Sequence, residues 1–187
     1  MARTRPHDHQ PRPSVADPRS ILLAAALDFV REARTCPNVL RIALVGSLST
    51  AKPIPKDVDV LVTLTDHDDL AALAQVARRL RGRANAINLG ADIFLCDAEG
   101  RYLGRVCRYR ECHPRMACDG LRCATGGRLN DDLHLVTLDR ALTLAPPIDL
   151  WPRVERRVAV PDDVERLLLS ALEQDLVAIS ADRPGAG

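Results

Sequence analysis

Two aspartates that alternate with valines are the residues of this sequence best suited to chemistry. Asp57 and Asp59 open the run DVDVLV, a pattern typical of a β-strand. Successive side chains of a strand point to opposite faces, so both carboxylates should lie on one face, with Cα atoms about 6.5–7 Å apart. Carboxylates this close repel each other unless a hard divalent cation lies between them. The pair therefore predicts a platform for Mg²⁺ and the phosphates of a nucleoside triphosphate.

A glycine–serine turn and both lysines of the chain precede these carboxylates. Gly46 and Ser47 follow an apolar run, and nine residues separate Ser47 from Asp57. Glycine lets the backbone approach a phosphate closely, and serine offers a hydroxyl beside backbone N–H groups. Lys52 and Lys56 are the only lysines among the 26 Lys and Arg residues, and their position favours contacts with the β- and γ-phosphates. Taken singly, a Gly-Ser turn is often an ordinary turn, and a D-x-D strand is often a solvated sheet edge.

In this order and spacing, the two motifs resemble the core motif of the DNA polymerase β-type nucleotidyltransferase superfamily. The resemblance covers about residues 39–96 and implies a third acid on a later, adjacent strand. We assign that place to Asp92 rather than to Asp97, because Asp92 lies within the β-rich run and Asp97 lies at its exit. The resemblance also implies two Mg²⁺ ions, both bridged by Asp57 and Asp59, with Asp92 on the catalytic ion alone.

The activity implied by this resemblance is transfer of a nucleoside monophosphate from a triphosphate to a hydroxyl of a protein, an RNA or a small molecule. One departure concerns the phosphate contacts. Many small members carry Ala-Arg-Gly after Gly-Ser, whereas here Ser47 is followed by LSTAKP, so Lys52 has to supply the cation. Some small members act as antitoxins, which makes a partner toxin a further hypothesis.

A cluster of four cysteines forms a second candidate site. Cys107, Cys112, Cys118 and Cys123 lie in a loop-like, glycine-containing segment, where thiolates can form a tetrahedral Zn²⁺ site. His113 can replace one of them. The spacings are looser than the usual Cys-x2-Cys, so separate thiols remain an alternative. Arginines between residues 105 and 122 are typical of a solvated surface, or of a patch that binds nucleic acid. The alternative function is thus a zinc-stapled, arginine-rich module that binds nucleic acid or protein, antitoxin-like, with vestigial acids.

Composition and length limit the class of protein to which these sites can belong. The chain has 187 residues, 47% of them hydrophobic, and a net charge of +1, which suits one compact domain and argues against a generally basic nucleic-acid coat. It contains no uncharged apolar run of about 18 residues and no apolar stretch of the signal-peptide type at its start. These features predict no membrane segment and a cytoplasmic location.

The elements that must position these residues predict an α/β fold of the α+β type, with a mixed sheet flanked by helices and a cysteine-rich insertion. The resemblance implies that this fold is nucleotidyltransferase-like. Strands are expected over 39–45, 57–63, 91–96, 101–108 and 133–138. Helices are expected over 18–34, from a Thr65/Asp68 capping box to about Gly82, and over 161–180. The predicted organisation is a disordered tail (1–15), the nucleotidyltransferase-like domain (16–145, with the cysteine-rich part at 107–128), a proline-marked linker (146–160) and a C-terminal helix (161–180) packed on the domain.

Overall fold

A computed structural model describes residues 17–108, 128–131 and 133–181. These residues form an α+β fold with a seven-stranded mixed sheet, which confirms the predicted fold class at this level. The strands are β1 (Val39–Val45), β2 (Asp57–Leu64), β3 (Gly90–Asp97), β4 (Tyr102–Val106), β5 (Leu129–Asn130), β6 (Ile148–Trp151) and β7 (Glu155–Arg156). The helices are α1 (Pro18–Ala33), α2 (Ala71–Asn85), α3 (Arg140–Leu144), α4 (Asp162–Val164) and α5 (Ser170–Ala181), with a π-helical segment (Glu165–Leu169) between α4 and α5.

The strand order is β5-β4-β3-β2-β1-β6-β7. Only β2 and β3 pair in parallel, and the crossover that a parallel pair requires is supplied by α2. All other neighbouring strands are antiparallel. As a consequence, the end of β1 and the starts of β2 and β3 lie at the same end of the sheet, with β2 between the other two strands.

The two faces of the sheet differ in character. On β2, the alternate residues Val58, Val60 and Val62 are fully buried in the main core beneath α1 and α2. The opposite face carries the two aspartates and then a smaller apolar cluster around Val45 and Leu61. The predicted alternation of β2 is therefore present, and it directs both carboxylates away from the main core.

The first helix begins where its sequence predicts and ends one residue earlier. The Asp17 carboxylate accepts hydrogen bonds from the backbone N–H groups of Arg19 and Ser20, and Pro18 occupies the first turn. Leu22, Ala26 and other residues of one helix face are buried against the sheet.

Two local predictions are wrong. The Thr65/Asp68 capping box does not form: α2 begins at Ala71, whose N–H is bonded to the Asp69 carboxylate at 2.8 Å. The predicted strand over 133–138 is absent among its described residues, and β5 lies earlier, at Leu129–Asn130.

The segment predicted as a linker contributes β6 and β7 to the sheet instead. Ile148 and Leu150 are fully buried, and β6 pairs with β1. The prolines on either side therefore bound a strand and do not mark a separate linker. The helical residues that follow, from Asp162 to Ala181, contact α1, and Arg31 is paired with Asp175 at 2.8 Å. Among the described helices, none has the length and apolar character needed to cross a membrane.

Candidate active site

The strand register brings Asp59 and Asp92 side by side. Asp59 lies opposite Val45 of β1 on one side and opposite Asp92 of β3 on the other. Asp57, two residues earlier on β2, lies on the same face as Asp59. The three carboxylates selected from the sequence therefore occupy one corner of the sheet. The rival residue Asp97 ends β3 at its far end, opposite Leu64, and is paired with Arg101 at 2.6 Å.

The three carboxylates interact electrostatically. Burial, together with the neighbouring charges of Asp57 and Asp92, raises the pKa of Asp59 to about 7. The Asp59 carboxyl therefore holds its proton to a higher pH than an exposed aspartate does. A cation at this position would favour the ionised form, because it would offset both the burial and the repulsion.

Two arginines from the β4 hairpin contact the third carboxylate. Arg105 Nη1 lies 3.5 Å from Asp92 Oδ2, and Arg108 Nη2 lies 3.6 Å from Asp92 Oδ1. Arg105 is opposite Phe94, which shares a sheet face with Asp92, so the side chains meet diagonally across the pair of strands. Sequence reasoning grouped these arginines with the cysteine segment and missed their contact with Asp92. The alternation of the predicted β3–β4 hairpin was the signal that pointed to it.

A buried arginine of α2 supports this corner from behind. Arg81 donates hydrogen bonds to three backbone carbonyls, those of Ala91 (3.2 Å), Val106 (2.8 Å) and Cys107 (3.2 Å). Burial lowers the pKa of its guanidinium to about 10. Arg81 thereby ties the start of β3 to the end of β4, the two segments that carry Asp92 and its arginine partners.

The glycine–serine turn lies directly against Asp59. Gly46 has φ +68° and ψ −157°, a conformation that side-chain-bearing residues rarely adopt. A Cβ atom at Gly46 would lie 2.0 Å from Asp59 Oδ2, so only glycine fits between the end of β1 and this carboxylate. The Gly46 backbone and the Asp59 carboxylate are therefore in close contact.

The Ser47 hydroxyl has no hydrogen-bond partner within the described residues. Its Oγ atom is buried and forms no hydrogen bond there. By contrast, Ser49 Oγ donates to the Gly46 carbonyl at 2.8 Å, and Thr50 Oγ1 donates to the Ser47 carbonyl at 2.8 Å. The turn is closed by its own hydrogen bonds, and the Ser47 hydroxyl remains available to a ligand.

A second buried arginine holds the loop that follows this turn. Arg19 of α1 donates to the carbonyl of Lys52 at 2.9 Å and to that of Leu48 at 3.0 Å, and it is paired with Asp163 of α4. Its exposed fraction is 7%. Sequence reasoning did not identify Arg19, because its partners lie far away along the chain and no local pattern indicates the contact.

The two lysines contribute through their backbones in this conformation. The Lys52 carbonyl accepts from Arg19, and the Lys56 carbonyl accepts from the Gly90 N–H at 3.0 Å, which aligns the starts of β2 and β3. Both lysine side chains are exposed. Their predicted role in phosphate binding stays a prediction.

The predicted zinc site falls mostly outside the described residues, since Cys112, Cys118 and Cys123 are not among them. Cys107 is buried at the end of β4, and its N–H donates to the Arg128 carbonyl at 2.7 Å. Over residues 17–108, 128–131 and 133–181, no three side chains of the His, Cys, Asp or Glu type are gathered into a set that could hold a metal ion. This includes the three aspartates, which are neighbours in the sheet without forming a closed ligand set, and Asp92 contacts arginines instead.

Comparisons of the chain with protein-family models, with curated proteins and with solved structures find no match.

Proposed function

We propose that this protein is a nucleotidyltransferase that moves a nucleoside monophosphate from a nucleoside triphosphate to a hydroxyl acceptor. One observation carries the proposal: the register places Asp59 between the end of β1, where the Gly46–Ser47 turn begins, and Asp92 of β3. The sequence motif that suggested this activity needs these parts to meet in space. The acceptor is a protein, an RNA or a small molecule, and the reaction takes place in the cytoplasm.

The carboxylates suit Mg²⁺ by their chemistry. Mg²⁺ prefers oxygen ligands and is usually held by one or two carboxylates together with substrate phosphates. Asp57 and Asp59 provide such a pair. The pKa of Asp59 is raised to about 7 by burial and by the charges of Asp57 and Asp92, and a bound cation would offset both effects. Asp57 and Asp59 would bind two Mg²⁺ ions, and Asp92 would bind one of these ions once its contacts with Arg105 and Arg108 are lost. When bound, Mg²⁺ would lower the pKa of the acceptor hydroxyl and neutralise phosphate charge.

The residues of the turn position the triphosphate. The Gly46 backbone permits close approach, and the Ser47 hydroxyl can donate to a phosphate oxygen, which would satisfy its unpaired Oγ. In the reaction, the acceptor oxygen bonds to the α-phosphorus, the bond to pyrophosphate breaks, and the acceptor proton is lost to solvent. Catalysis thus depends on positioning and charge neutralisation, with no covalent bond to the protein.

The test is transfer of label from α-³²P-labelled ATP, GTP, CTP and UTP in the presence of Mg²⁺, with lysate fractions as the source of acceptor. Substrates labelled at the γ-phosphate provide a control, because the proposed reaction releases that label as pyrophosphate. Asp57→Asn and Asp59→Asn should each reduce transfer by about 100-fold or more, since each removes charge that acts at the reacting phosphate.

Asp68→Asn is the matched control, since Asp68 is an exposed carboxylate in the loop before α2. It should retain transfer. Undiminished transfer in both the Asp57 and the Asp59 variants would exclude the proposed activity. The alternative, a zinc-stapled binding module, requires bound zinc together with salt-dependent nucleic-acid or protein binding and no transfer.

A further inference from the structure

The charges at the candidate site are arranged in two neighbouring halves. Asp57 and Asp59 form an acidic half, whose carboxylates have no arginine contact among the described residues. Arg105 and Arg108 form a basic half around Asp92, with the buried Arg81 behind them. A ligand that carries both a cation and several negative charges fits such a pair of halves. The magnesium complex of a triphosphate has this composition.

The arginine contacts with Asp92 are loose. Their distances of 3.5 and 3.6 Å exceed the range of about 2.7–2.9 Å that is typical of charge-assisted hydrogen bonds. Asp92 Oδ1 is buried and has no hydrogen-bond partner among the described residues. The Arg108 side chain is 64% exposed, so it can reorient without disturbing the core. Arg81, by contrast, is held by three backbone carbonyls and stays in place.

We propose that Arg105 and Arg108 bind the triphosphate group of the nucleotide, and that this binding removes them from Asp92. This inference rests on the proposed function. It assigns the phosphate contacts to the two arginines, which take the place of the arginine that many small members of the superfamily carry after Gly-Ser and that is absent after Gly46–Ser47. Guanidinium groups suit the role because their planar fork binds two phosphate oxygens at once. In the absence of nucleotide the same arginines keep Asp92 from binding a metal ion. The triphosphate therefore completes the ligand set for the metal as it binds.

The first test measures binding of inorganic tripolyphosphate and of ATP by calorimetry in EDTA, which separates phosphate binding from metal binding. Arg108→Gln and Arg105→Gln should each lower the affinity for both ligands by about tenfold or more, as expected for loss of a charge-assisted contact. Arg101→Gln is the matched control, because Arg101 lies on the same hairpin, is 73% exposed and is paired with Asp97. It should bind as the wild type does. AMP should bind weakly to all four proteins.

The second test measures Mn²⁺ binding without nucleotide, by electron paramagnetic resonance. Arg105→Gln and Arg108→Gln should tighten Mn²⁺ binding by about twofold to fivefold, the range expected when a partly exposed ion pair is lost. Arg101→Gln should leave it unchanged. Equal or weaker Mn²⁺ binding in both variants would refute the proposed masking of Asp92.

The outcomes separate this inference from the proposed function. Arginine-dependent tripolyphosphate binding without any label transfer would support the phosphate site and reject the transferase. Transfer with an unchanged KM for the triphosphate in Arg108→Gln and Arg105→Gln would support the transferase and reject the phosphate site. Tighter arginine-dependent binding of an RNA oligonucleotide than of tripolyphosphate would also reject it. Thermal unfolding of each variant distinguishes a lost contact from a lost fold.

Discussion

The contact between Gly46 and Asp59 can be tested by adding a single methyl group. In Gly46→Ala, the new Cβ would lie 2.0 Å from Asp59 Oδ2, 2.8 Å from its Cγ and 2.9 Å from its Cβ. A rotation about the Asp59 side chain cannot relieve the last of these contacts, because Cβ is fixed to the backbone. The φ of +68° adds backbone strain for any residue other than glycine. We expect the two effects together to lower the free energy of unfolding by about 2–6 kcal/mol.

The assay is urea unfolding followed by circular dichroism, in which the midpoint of Gly46→Ala should fall by about 1 M or more. Gly82→Ala is the control. Gly82 lies in α2, and an added Cβ there meets no atom within 4 Å. That variant should gain about 0.5–1 kcal/mol, because alanine loses less backbone entropy in a helix. A midpoint for Gly46→Ala at or above that of the wild type would refute the geometry described for this turn.

Three further predictions concern Asp59, Arg19 and the cysteines. Because the pKa of Asp59 is raised to about 7, the folded protein retains a proton that the unfolded chain has lost between about pH 4 and 7, so stability should fall as pH rises through this range. Urea unfolding at pH 5 and pH 8 should show this fall, and both Asp59→Asn and added Mg²⁺ should reduce it. Arg19→Ala should cost about 1.5–3 kcal/mol in urea unfolding and weaken ATP binding, because the carbonyls of Leu48 and Lys52 lose their donor; unchanged values in both assays would contradict its role. If the cysteines form the predicted site, elemental analysis should find about one zinc per chain, and Cys107→Ser should reduce it.

Local patterns were sufficient for the central strands. The structure has β1 over the predicted residues. The strand β2 is one residue longer than predicted at its end, and β3 is one residue longer than predicted at both ends. The reason is that a buried strand and a strand with one polar face each have a recognisable pattern of hydrophobic residues in the sequence. The Asp17–Pro18 start of α1 is equally local, since a cap involves only neighbouring residues.

Contacts between segments that are distant along the chain could not be predicted from local patterns. The prolines around residues 146–152 suggest a linker, yet Ile148 and Leu150 are buried because β1 offers an edge for β6. The capping box failed for a related reason: Thr65 lies in the loop after β2, where its N–H donates to the carbonyl of Asn38 at 3.0 Å. In both cases a distant partner determined the local structure.

The same distinction between local patterns and long-range contacts applies to the candidate site. Residue types and spacing selected the aspartates at 57 and 59 and the Gly-Ser turn, because a strand of known period fixes which side chains share a face. Asp92 was selected because the family resemblance implies a third acid on a later, adjacent strand. Only the tertiary structure decided that Asp92 lies beside Asp59, that arginines of β4 contact Asp92, and that Arg19 holds the loop after the turn. These contacts depend on how separate segments are packed together, and packing brings residues close in space whose separation in the sequence carries no periodic signal.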